Sequence, residues 1–345
     1  MSGRGRAPMY WIPYISWAGS SMPRFSMSRC AAALAALAVL SAGLLLFARP
    51  ARAWVRTTVA LPDGGAGPCL FWGPRGLTFM IDAQGTPDVP GTSAFDAIRK
   101  GFQTWSAVSC SDLVFPDLGL STNPADRVVG YFPGQYNRNL LLFRTANCES
   151  GIVPPDDPCI EQGACGNAYD CWDHDDAILA TTTTTTDRNT GQLLDADVEF
   201  NDATAPDGTK WTFSTVDSPP CQSDTQSDCV NIDVQNTATH EEGHTIGLAH
   251  SLDPNATMYA TAPMGETSKR TLSDDDIAAV CTIYPLGQQT LTCLGAPIDL
   301  TVTGESDNLP CGCSSGGSAA PALEGAALAL LGIFFLRSSK KRRAI

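Results

Sequence analysis

Three of the four histidines in this 345-residue chain fall in one short window, His240-Glu241-Glu242-Gly243-His244-Thr245-Ile246-Gly247-Leu248-Ala249-His250. On a helix, His240 and His244 stand one turn apart on the same face, so both imidazoles can reach one metal ion. A straight helix would carry the following residues away from that ion. Gly247 accepts positive φ and lets the chain turn sharply, which brings His250 back as a third ligand. Three neutral imidazoles suit zinc and leave one coordination position open for water, as hydrolysis requires. Glu241 follows the first ligand, rotated by about 100° around the helix. It is placed to act on that water as general base and to deliver the proton to a leaving amine. The expected cofactor is one catalytic Zn2+, and the expected chemistry is hydrolysis of peptide bonds.

The pattern H-E-x-x-H-x-x-G-x-x-H fixes five positions. Chance matches run on the order of one in a million windows at about 5% per residue. The competing reading is a polar helix with incidental histidines. The elements that must position the window can be read around it. Asp233 is a candidate N-cap for a helix running to about Ile246. Ser273, with Asp276 three residues on, opens a last helix through Ile277, Val280 and Ile283 before Pro285. Residues 93–108 place Phe95, Ile98, Phe102 and Trp105 on one helical stripe. Residues 77–81, 128–132 and 140–143 read as strands. Residues 177–186 and 193–200 read as a hairpin turning at 187–191. Its six threonines suit an extended, half-exposed strand. Residues 144–172 form an aperiodic insert with four cysteines, and 201–231 is polar loop.

Downstream of the histidines the chain reads His250-Ser251, then Ala256-Thr257-Met258-Tyr259. An elongated zinc motif followed by a methionine at this short spacing resembles the matrixins, the matrix-metalloproteinase-like branch of the metzincins (peptidase family M10). Residues 94–106 resemble that family's first helix, and 272–277 with Ile283-Tyr284 its last. The resemblance covers most of 70–286. It implies an α+β metzincin (zincin-like) fold: a twisted, mostly parallel sheet of about five strands, two long helices and a C-terminal helix, with a cleft along the edge strand. It also implies that Met258 forms the apolar floor beneath the zinc and that Tyr259 lines the pocket for the side chain after the scissile bond. The expected activity is that of a zinc metalloendopeptidase (hydrolase, EC 3.4.24) acting on extracellular proteins or peptides. The alternatives are a non-catalytic metzincin-like adhesion or binding module and a narrow-specificity processing protease, its cleft restricted by the cysteine insert. The chain departs from the family at Asp197, where animal matrixins place a histidine for a second, structural zinc. That second zinc is not expected. Asp195, Asp197, Glu199 and Asp202 are candidate calcium ligands, with solvated acidic residues as the alternative. His174, among Asp173, Asp175 and Asp176, reads as a surface residue. No cysteine-switch motif precedes Cys69, which reads as half of a disulfide.

The two ends read as processing signals. Residues 1–53 carry the basic, apolar, A-x-A order of a signal peptide, with cleavage before Trp54 and a transmembrane anchor as the alternative. Residues 54–286 would be the catalytic domain and 287–318 a linker with the motif Cys311-Gly312-Cys313. Residues 319–345 pair an apolar stretch with a basic cluster. That order resembles the MYXO-CTERM sorting tails of bacterial surface proteins, with a plain membrane anchor as the alternative. Between the ends, residues 54–310 carry 35 acidic and 11 basic side chains. Such a surface repels nucleic acid and anionic membrane, so membrane contact is expected only through the tail. Ten cysteines between Cys69 and Cys293 suggest five disulfides in an exported protein. Cys221 and Cys229 are expected partners, and Cys148, Cys159, Cys165 and Cys171 are expected to staple the insert. The chain is expected to be a secreted or surface-displayed monomer.

Overall fold

The computed structural model describes residues 53–293, except 224, 225 and 227, together with the backbone of 306–311. The expected signal peptide up to residue 52 and the tail at 319–345 lie outside the described residues, as does the cysteine motif beyond Cys311. Among the described residues no helix is long and apolar enough to cross a membrane.

The strands, in chain order, are β1 (Val55–Arg56), β2 (Thr58–Ala60), β3 (Ala66–Cys69), β4 (Phe79–Asp82), β5 (Asp117–Ser121), β6 (Asn139–Arg144), β7 (Ala180–Asp187), β8 (Leu193–Asn201), β9 (Phe213–Ser214), β10 (Ile232–Asp233), β11 (Leu248–Ala249) and β12 (Ser306–Cys311). The main sheet has the order β12-β7-β8-β6-β4-β5. Strands β5, β4, β6 and β8 run parallel to their neighbours, while β7 is antiparallel to β8. This is the expected mixed, mostly parallel five-strand sheet of an α+β fold. A sixth strand, β12, joins it from the stretch read as a linker and runs antiparallel to β7. An outer strand presents unpaired N–H and C=O groups, and a passing extended segment satisfies them.

The long helix Ser93–Ser106 forms as its apolar stripe dictates, with Phe95, Ile98, Phe102 and Trp105 all buried. Its first three stripe residues join the core built on Phe79, Leu141, Phe143, Val198 and Phe200. Trp105 belongs to a second core with Leu70, Trp72, Leu248, Met258, Val280 and Tyr284. The helix Val234–Thr245 starts at its Asp233 cap, whose Oδ1 accepts from Asn236 N at 2.7 Å. The last helix, Asp274–Ile283, opens with a complete capping box between Ser273 and Asp276.

Two expectations need correction. Residues 128–132 are not a strand. Their amides are taken by side chains: Val129 N donates to Asn167 Oδ1 (2.9 Å), Gly130 N to Asp197 Oδ2 (2.6 Å), Tyr131 N to Thr185 Oγ1 (3.3 Å) and Phe132 N to Asn137 Oδ1 (2.6 Å). With donors satisfied this way, nothing drives a ladder. The threonine strand β7 is buried rather than half-exposed. Thr182 meets the histidine-bearing helix on one face and Thr185 meets Tyr131 on the other.

The ten cysteines form five disulfides. Cys148–Cys171 and Cys159–Cys165 staple the insert, and Cys221–Cys229 closes its short loop. Two long-range bridges, Cys69–Cys293 and Cys110–Cys281, tie the end of the domain to its beginning. Inside the insert, two short helices, Pro158–Gln162 and Cys165–Tyr169, have no counterpart in the sequence reading.

Candidate metal centre

The helix Val234–Thr245 is held by side chains that satisfy its backbone. Trp105 Nε1 donates to Thr239 O at 2.8 Å, and Trp72 Nε1 donates to Thr245 O at 2.6 Å. Tyr284 Oη donates to Ile246 O at 2.8 Å. Carbonyls at a helix C-terminus have no partner within the helix, and the last two contacts supply one. The chain then turns at Gly247, with φ of 87°. A Cβ there would lie 2.7 Å from Leu70 O, so both conformation and space demand glycine. After the turn, β11 pairs antiparallel with β1, which aims His250 back toward the helix.

The result is a cluster of His240, His244 and His250 whose potential ligand atoms all lie within 4.8 Å of one another. The ring centroids are 4.9 to 5.3 Å apart. Two rings have their tautomer set by a carbonyl. His240 Nδ1 lies 2.6 Å from Thr257 O, and His244 Nδ1 lies 2.7 Å from Leu248 O. A carbonyl only accepts, so each Nδ1 carries the hydrogen and each Nε2 keeps its lone pair for a metal. Burial pushes the pKa of His244 and of His250 down to about 4, and that of His240 well below its usual value. The three rings are therefore neutral at neutral pH, as ligands must be. His244 Nε2 is buried with no hydrogen-bond partner among the described residues. An orphaned, convergent nitrogen in a set of three neutral imidazoles fits zinc.

Glu241 is buried beside this cluster, and its Oε2 accepts from Thr182 Oγ1 of β7 at 2.7 Å. Burial raises its pKa to about 7, opposed by the Thr182 hydrogen bond and by the Lys269 ammonium. Met258 is buried and Tyr259 is half-buried just after it. Their turn is fixed by Asp276, whose carboxylate accepts from Thr257 N (2.8 Å) and Met258 N (3.1 Å). Asp276, read from the sequence only as part of a capping box, thus serves the site as well. Lys269 was not singled out in the sequence. It is buried, donates to Tyr259 O, and its charge reaches Glu241 and all three histidines. Only its position in the short Ser268–Arg270 turn could have hinted at this.

The four candidate calcium ligands lie elsewhere and do not share one centre. Asp197 accepts from Gly130 N and, at 2.7 Å, from Leu140 N. Asp195 shares a hydrogen bond with Asp197, and burial lifts its pKa to about 6. Glu199 pairs with Arg144 at 2.6 Å, and Asp202 with Lys210 at 2.8 Å. All four are buried, so they are not solvated surface acids. His174 is not a free surface residue either: its Nε2 is 3.7 Å from Glu199 Oε2, and its ring meets Trp172 edge-on. Among the described residues, the three histidines are the only group of three or more such side chains placed to hold a metal.

Glu242 is a different case. Both of its carboxylate oxygens are buried without a hydrogen-bond partner, against Gly101 of the long helix. Burial alone holds its pKa well above the usual carboxylate range. We expect Glu242→Leu to stabilise the domain by about 1–3 kcal/mol in urea unfolding, because it removes an unsatisfied buried polar group of similar size. The folded-state pKa is raised, so the wild-type glutamate loses stability as pH rises above its unfolded value near 4.5. The advantage of leucine should therefore be larger at pH 8 than at pH 5.

Comparison with known proteins meets this geometry at the same residues. Residues 161–285 match the family model described as Matrixin, peptidase M10. The chain is similar to human matrilysin, with 42% identity over 60 residues, 17% of this chain and 22% of that protein. It is similar to human neutrophil collagenase, with 46% identity over 54 residues, 16% of this chain and 12% of that protein. Horse (Equus caballus) interstitial collagenase aligns over 227 residues at 28% identity, 64% of this chain and 35% of that protein. The matched stretches thus span about a third or less of the lengths of these relatives.

Proposed function

We propose that the matrixin catalytic domain of this chain is a zinc-dependent endopeptidase that hydrolyses internal peptide bonds of proteins outside the cell. The observation that carries this reading is the convergence of three neutral imidazoles, two of them tautomer-fixed, beside a buried carboxylate whose pKa is raised to about 7. His240, His244 and His250 would hold the metal. A zinc ion there supplies Lewis-acid polarisation of the scissile carbonyl and lowers the pKa of water.

The chain's own residues do the rest. Glu241 takes a proton from the attacking water and returns it to the leaving amine. Thr182 Oγ1 holds the carboxylate of Glu241 in place, and burial keeps its pKa close to working pH. The Lys269 ammonium favours the ionised form and so keeps the base available. Met258 floors the centre, and Tyr259 lines the pocket for the side chain after the scissile bond. Five disulfides suit an oxidising compartment outside the cell. Export through a leader at 1–53 and surface sorting through 319–345 complete the reading.

The test is cleavage of an unstructured protein such as casein by the oxidatively folded chain, with zinc assayed in parallel. The expected result is about one zinc per chain and hydrolysis that a chelator abolishes and zinc restores. A folded chain that binds no zinc overturns the proposal. Zinc without cleavage of casein or of a diverse peptide library favours the adhesion module.

A further inference from the structure

The outer edge of β7 lies beside Glu241, and it is not open. Ser306–Cys311 pairs with it antiparallel and without a register shift, from Ser306 opposite Asp187 to Cys311 opposite Thr182. Thr182 is the residue whose hydroxyl holds the Glu241 carboxylate. The C-terminal end of β12 therefore lies level with the general base. An extended peptide that adds a strand to a sheet edge uses the same backbone N–H and C=O groups. Two strands cannot occupy one edge.

The covering strand is also tethered. Cys293 is fixed to Cys69, and residues 294–305 link it to β12. A linker of that length spans up to about 40 Å when extended. It keeps the strand at an effective concentration in the millimolar range, well above that of a typical free substrate. We propose that Ser306–Cys311 is a built-in occupant of the peptide-binding edge, and that it restrains the enzyme by competing with extended substrates for β7. This rests on the peptidase reading above. It adds that this chain regulates itself from its C-terminal side.

The test uses the full chain and the double variant Asn308→Pro, Leu309→Pro. Proline removes the amide hydrogen at two successive positions, so donors on either side of β12 are lost. Hydrogen exchange at the β7 amides reads the pairing whether or not the chain is a peptidase. The amides of β7 that face β12 should exchange at least about tenfold faster in the variant, while those facing β8 keep their protection. Equal protection of all β7 amides in both proteins overturns the proposal. In hydrolysis of a short peptide, the variant should show a KM about tenfold lower with kcat unchanged, the pattern of a lost competitor. A synthetic peptide of residues 304–313 should inhibit the variant competitively. If hydrolysis is measurable but KM is unchanged and the peptide does not inhibit, the competition is refuted. If no hydrolysis is seen in either protein while exchange responds as stated, the peptidase reading fails and the docking of β12 stands.

Discussion

Replacing Glu241 by alanine should lower the rate of peptide hydrolysis by about 10²–10⁴-fold and leave zinc at about one per chain. Two of the three imidazoles are oriented without Glu241: His240 and His244 are fixed by the carbonyls of Thr257 and Leu248. Removing the carboxylate deletes the proton acceptor and little else, because the helix around it is held by Trp105, Trp72 and Tyr284. The loss should fall on kcat more than on KM, since the base acts in the transition state. The pH profile carries the same signature. With a pKa of about 7 in the metal-free chain, the base is lost as pH falls, so activity declines toward acid. A bound dication favours the carboxylate and moves this acid limb below 7. Zinc itself should persist further, because histidines with pKa values near 4 do not take up protons until the solution is much more acidic. A variant that loses zinc along with activity would make Glu241 a structural residue instead.

The metal centre was legible because its parts are local. The spacing of His240 and His244 needs only a helix, the return of His250 needs only Gly247, and both helix caps, Asp233 and Ser273, stand next to what they cap. Cys221–Cys229 was legible as a short closed loop, and the four insert cysteines as a staple whose pairing the sequence left open. What stayed hidden depends on partners far along the chain. Asp197 binds the amides of Gly130 and Leu140, and only the folded sheet brings these together. The same contact explains why 128–132 fails to become a strand despite its apolar character. Cys69 meets Cys293 across 224 residues, and no spacing rule selects that pair. At Glu199 the sequence shows a carboxylate without its counterion. The fold supplies an internal cation, Arg144, from the neighbouring strand β6.

That cation carries the second large effect. Arg144→Met should destabilise the oxidised domain by about 3–5 kcal/mol in denaturant unfolding at pH 7. Arg144 is fully buried. It donates to Glu199 at 2.6 Å, to Asp170 of the insert at 2.7 Å and to Arg127 O at 3.2 Å. Methionine keeps most of the volume but leaves Glu199 buried, with His174 as its nearest remaining cation. It also cuts one of the two arginine links to Asp170, the other being Arg127 at 2.8 Å. Changing both partners, Arg144→Met with Glu199→Met, should recover most of the loss, because no unpaired charge then remains. The pH dependence separates charge from packing. Burial disfavours the Glu199 carboxylate, but His174 and Arg144 outweigh it and hold its pKa below the usual value. Its stabilisation is therefore present above the unfolded value near 4.5 and lost as pH falls through the lower folded value. Burial also disfavours the His174 imidazolium, but Glu199 and Asp173 outweigh that and raise its pKa, so its share is lost as pH rises above 6.5 and through the folded value. The network is strongest between these limits, and the cost of Arg144→Met should shrink as the solution is taken well below pH 4.5. An equal loss at pH 3.5 and pH 7 would place the cost in packing rather than in the buried charge.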